Sequence, residues 1–65
     1  MDDYTILIPE LRAAMNVSQE DFAKILGVAV VSVSRWENGH SKPTKLIKVK
    51  IKKLLIRYDI KAEEK

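Results

Sequence analysis

Ser18-Gln19-Glu20-Asp21-Phe22-Ala23-Lys24-Ile25-Leu26-Gly27-Val28-Ala29-Val30-Val31-Ser32-Val33-Ser34-Arg35-Trp36-Glu37-Asn38-Gly39 reads as two short amphipathic helices around a tight turn. Ser18 has the side chain of an N-cap, with Asp21 three residues on as a shortened capping-box acid. Phe22, Ile25 and Leu26 share a helical face and are expected to form its buried stripe. Gly27 ends that helix, and a second begins near Val30 and closes at Asn38-Gly39, a pair suited to the left-handed conformation. So short a link permits only a sharp corner, and Ala23 supplies the small side chain that closely crossing helices need.

Upstream, Pro9 is expected in the first turn of a helix, where a missing N–H costs nothing. That helix carries Ile8, Leu11 and Met15 at helical spacing and stops at Asn16. Downstream, Thr44 is placed to cap a last helix reaching about residue 58 or 60. On it Ile47, Ile51, Leu54, Leu55 and Tyr58 share a face that closes the core. Leu46, Val49, Ile56 and Ile60 fall on nearly the opposite face, interrupted by Lys53. They form a candidate surface for a homodimer or another protein, unless the Tyr4-Thr5-Ile6-Leu7 segment and the first helix cover part of it. Ala62-Glu63-Glu64-Lys65 reads as a solvated end.

The expected fold class is all-α, a compact four- to five-helix bundle forming one domain over residues 1–65, with the helix-turn-helix unit at 18–39 and the C-terminal helix at about 44–60. With 65 residues, folding buries only roughly 60% of the surface the extended chain exposes. The chain has no cysteine and a single histidine, His40, without plausible ligand neighbours, so neither disulfide nor metal is expected to staple it and apolar packing must suffice. Hydrophobic residues make up 46% and charged residues 32%, which favours a folded helical domain over disorder. No cofactor is expected, and the absence of a membrane span or leader pattern points to a soluble, cytoplasmic protein.

The net charge of +3 is small but uneven: most Lys and Arg residues lie from Arg35 onward, while the segment up to Asp21 is rich in acids. Such asymmetry suits one face meeting a polyanion, and equally an ordinary solvated face. On a helical wheel Ala29, Val33, Trp36 and Glu37 turn to one side of the third helix and Val31, Ser34, Arg35 and Asn38 to the other, with Val30 and Ser32 on the shoulders. Two helices around a corner are the arrangement that lays the second in the major groove of double-stranded DNA. Val30, Val31, Ser34 and Arg35 are then the residues facing base edges.

Trp36-Glu37-Asn38-Gly39-His40-Ser41-Lys42-Pro43, with Ser18-Gln19, Phe22-Ala23 and Leu26-Gly27-Val28, resembles the lambda-repressor-like, XRE-type helix-turn-helix family from Arg12 to about Leu55. That resemblance implies an all-helical bundle and a DNA-binding regulator, often dimeric. It matches Val30, Val31, Ser34 and Arg35 to base-reading positions and Gln19 to a phosphate-binding glutamine at a helix N-terminus. Asn38, Ser41, Lys42 and Lys45 follow the reading helix and are further phosphate candidates. Relatives commonly pair the residues matching Arg12 and Glu37 as a structural ion pair. They also commonly carry Ser or Thr where this chain has Ala29, and often have five helices, so the long fourth helix is expected to stand in for the last two.

The leading expectation is a transcriptional regulator, a repressor, that binds double-stranded DNA as a homodimer. The alternative is an antitoxin-like or accessory module of the same fold, binding a toxin or another regulator. An enzyme is not expected, because no cysteine, one histidine and no Gly-rich phosphate loop leave little catalytic chemistry.

Overall fold

The computed structural model describes residues 3–60. These form four helices, α1 (Tyr4–Met15), α2 (Gln19–Leu26), α3 (Val30–Glu37) and α4 (Lys45–Arg57), with no strand among the described residues. The all-helical class expected from the sequence is therefore observed, with four helices. The solvated end expected at 62–65 lies outside the described residues.

The first helix starts five residues before the position expected from Pro9. Asp3 is its N-cap, accepting the Thr5 backbone N–H at 3.1 Å. From there Tyr4, Leu7, Ile8 and Leu11 recur at helical spacing, and all four are buried. Pro9 consequently sits inside α1 rather than in its first turn. An interior proline costs about 3 kcal/mol through a lost bond and a ring clash. The longer helix adds the burial of Tyr4 and Leu7, at about 1.5 to 3 kcal/mol each, which offsets that cost.

All four helices end in the same way. Beyond each, one residue enters the left-handed region: Asn16 (φ 60°), Gly27 (φ 76°), Gly39 (φ 76°) and Asp59 (φ 57°). The N–H of the following residue then reaches back over the last turn, Val17 to Arg12 O (3.1 Å), Val28 to Ala23 O (2.9 Å), His40 to Arg35 O (2.9 Å) and Ile60 to Leu55 O (2.8 Å). This Schellman arrangement satisfies carbonyls that a helix end leaves open, and it turns the next side chain inward. Val17, Val28 and Ile60 pack against the core accordingly. At Gly27 the conformation, not space, demands glycine, since a Cβ there would meet nothing within 4 Å.

The core is built from every helix. Ile8 and Leu11 of α1, Phe22 and Leu26 of α2, Val33 of α3 and Ile51 of α4 are the largest fully buried side chains, with Trp36, Ala23 and Leu55 beside them. Ile25 departs from its expected stripe and is 49% exposed, because Phe22, Ala23 and Leu26 alone face the centre of an eight-residue helix. Tyr58 likewise caps α4 at the surface instead of completing its buried face, while Ile47 and Leu54 are partly buried.

Candidate nucleic-acid interface

The third helix is anchored from within. Val33 and Trp36, one turn apart, are buried against α1 and α2, and this fixes which face of α3 remains outside. On that outer face Val31 is 57% and Val30 43% exposed, Arg35 is exposed, and Ser34 is half-buried. Ala29, on the core-facing side of the wheel, is in fact exposed: it is the N-cap, with extended backbone (φ −73°, ψ 147°) and no side-chain cap bond. Methyl groups thus stand where α3 leaves backbone N–H groups open.

A polar network fixes the other end of α3. Arg12 Nε donates to Glu37 Oε2 at 2.7 Å and its Nη2 donates to Oε1 at 3.2 Å, a two-pronged ion pair between α1 and α3. Gln19 Nε2 donates to the same Oε1 at 2.9 Å, bringing in the first turn of α2. Arg12 Nη1 also reaches Val17 O at 3.4 Å. Burial pushes the Glu37 carboxyl upward, but the hydrogen bonds from Arg12 and Gln19, with the arginine charge, outweigh it and hold the group below its ordinary range. The Gln19 link was not foreseen. The wheel position of Glu37 on the core-facing side signals that its two oxygens need donors, without saying that Gln19 is one of them.

Asn38 turns back onto its own helix, donating from Nδ2 to Ser34 O at 2.8 Å and lying 3.4 Å from Ser34 Oγ. The segment after Gly39 is pinned by buried Pro43, with His40, Ser41 and Lys42 outside and exposed Lys45 opening α4. Arg35 and Lys42 make no ion pair among the described residues.

On α4, Leu46, Val49 and Ile56 are exposed, Ile56 by 71%. Ile60 does not join them, because the terminal motif of α4 draws it against the core. None of the described helices is long and apolar enough to cross a membrane. Among the described residues, no group of three His, Cys, Asp or Glu could hold a metal ion.

No curated protein and no solved structure matches the chain. A helix-turn-helix family model matches residues 8–64, from the middle of α1 past the end of α4. That span covers both helices of the corner, the scaffold helix behind them and the closing helix. The chain therefore belongs to the lambda-repressor-like helix-turn-helix family, whose members are DNA-binding regulatory domains.

Proposed function

We propose that this protein is a sequence-specific regulator of transcription, acting as a repressor, that inserts α3 into the DNA major groove. The observation that carries this reading is the division of α3 into a locked inner face, Val33 and Trp36, and an outer face, Val30, Val31 and Arg35, that nothing in the described chain covers. Arg35 has the donors for guanine O6 and N7, and the two valines offer apolar contact to thymine methyls. Ser34 lies between them and can reach a base or a phosphate.

The frame supplies the phosphate contacts. Lys42, Lys45 and Ser41 are exposed along and beyond the loop after α3. Gln19 keeps a second amide hydrogen beyond the one given to Glu37, beside the open N–H groups of the first turn of α2. Asn38 is the weakest of the set, since its amide already closes α3.

Two copies on a symmetric site complete the reading. The lysines around Leu46, Val49 and Ile56 oppose self-association in free solution, so adjacent half-sites on the duplex are what bring the two copies together. Selection from a random duplex pool tests the whole proposal. A two-fold symmetric site, bound by two chains with affinity that falls steeply as salt rises, is expected. Failure to enrich any sequence overturns it, and favours the same fold serving as an antitoxin-like module through its uncovered valines.

A further inference from the structure

A groove of about 320 Å³ runs between the C-terminal half of α2 and the C-terminal half of α4. Its lining is Ile25 and Leu26 from α2 and Lys50, Lys53, Leu54 and Arg57 from α4, with no residue of α3. The floor is aliphatic: Leu26 is buried, Leu54 is partly buried, and Ile25 stands at the edge with half its surface open. The rim is cationic, and Lys50 Nζ lies 3.4 Å from Leu26 O, the last carbonyl of α2, which fixes one wall. Neither Lys53 nor Arg57 has an ion pair among the described residues.

We infer that this groove is a docking site for an acidic amphipathic segment of a partner protein, one that places an aliphatic side chain beside Ile25 and carboxylates on Lys50, Lys53 and Arg57. Charge complementarity decides among occupants. Between Lys45 and Arg57 the fourth helix carries six cations and no acid, so the same helix of a second copy would meet it with like charge. A phosphate backbone would satisfy the rim but leave the aliphatic floor wet. A flat lipid surface would touch the rim without entering a concavity. Only a side-chain-bearing segment with both characters fills floor and rim together, the helix-in-groove mode of recognition. The surface is separate from the DNA-facing side of α3, so a regulator of this kind carries a handle for a second protein while its reading helix stays free.

The test uses the full chain, isotope-labelled, titrated with a synthetic helical peptide bearing leucines one turn apart among glutamates. Saturable shifts confined to the amides around Ile25, Leu26 and residues 50–57 are expected. Replacing the peptide's leucines by serine, at unchanged charge, is expected to weaken binding at least about tenfold, and so is the protein variant Lys53→Glu. Ile25→Ser, at an exposed position, is expected to do the same with the melting curve preserved. Equal binding of the serine peptide overturns the proposal, because the site then senses only negative charge. It is also overturned if the leucine peptide shifts none of these amides, whether or not phosphatidylglycerol vesicles do, or if they shift with protein concentration alone, which assigns the groove to a second copy. No DNA enters the measurement, so its outcome is independent of the DNA reading.

Discussion

At the residue scale the most consequential side chain is Glu37, because it joins three helices through one carboxylate. Arg12 and Gln19 both bond it, and at 10% side-chain exposure it has little water to fall back on. Its folded-state pKa is lowered, so its stabilising contribution is complete above the unfolded carboxylate value of about 4.5 and is lost as pH falls through the folded value. Glu37→Gln keeps the shape and removes the charge. Urea midpoints at neutral pH should show a loss of about 1.5 to 3 kcal/mol, the scale of hydrogen bonds to a charged group. The difference from the parent should shrink as the pH falls through the folded value, since both side chains are then neutral. Two other residues divide the DNA work. Arg35→Ala is expected to relax preference at one base pair by about 1 to 3 kcal/mol, read by competition between duplexes differing at that pair. Lys42→Ala should instead weaken all sequences alike and reduce the slope of log affinity against log salt by about 0.9.

At the scale of the element, α3 is the helix with a weak beginning. Ser18 and Thr44 cap α2 and α4 by accepting the N–H groups of Asp21 and Ile47, while Ala29 can offer α3 nothing. Ala29→Ser places a hydroxyl within reach of the N–H of Val31 or Ser32 on an extended backbone already fit for it. A gain of about 0.5 to 2 kcal/mol is expected, visible as a rise in melting temperature of about 4 to 8 °C per kcal/mol. The same element logic explains what the sequence made legible. Capping residues and left-handed stops are local chemistry, so Ser18, Thr44, Asn16, Gly27 and Gly39 could be read directly, and with them the limits of α2 and α3 and the start of α4 to within a residue or so. The fourth helix ends at Arg57, short of the expected 58 to 60, because the left-handed stop falls on Asp59, a residue with no strong local signal for it. The start of α1 departs from the sequence expectation because Pro9 is locally a helix starter, and only the burial of Tyr4 and Leu7 against distant helices overrides it. Ile25 and Ile60 were misplaced for a related reason. Periodicity assigns a side but not how far the neighbouring helix extends, and it is blind to the chain reversal that carries Ile60 off the outer face of α4. At the candidate site the outward face of α3 was legible from the wheel, whereas the bond from Gln19 to Glu37 depends on a crossing that no single helix encodes.

At the scale of the whole molecule, a core of this size is expected to give a small stability that rests on few side chains. Phe22 is fully buried where α2 packs into the bundle, and truncating a buried phenylalanine to alanine costs about 3 to 5 kcal/mol. A core in a chain below 70 to 80 residues rarely supplies more than about 3 to 5 kcal/mol in total. The chain has no cysteine with which a disulfide could make up the difference. Phe22→Ala should therefore be largely unfolded at 25 °C when free, with most of its helical circular dichroism lost. The folded form alone can present α3 to a groove, so a ligand that binds it must refold the variant. Selected duplex at about a hundred times its dissociation constant contributes about 2.7 kcal/mol to the folded state, enough to restore a substantial part of the helical signal. A scrambled duplex at equal concentration should restore far less, because it binds more weakly. If Phe22→Ala instead stays folded alone, the packing around α2 is not what holds the helix-turn-helix corner in shape. If both duplexes restore it equally, the refolding reports phosphate charge alone, and the reading of bases by α3 fails.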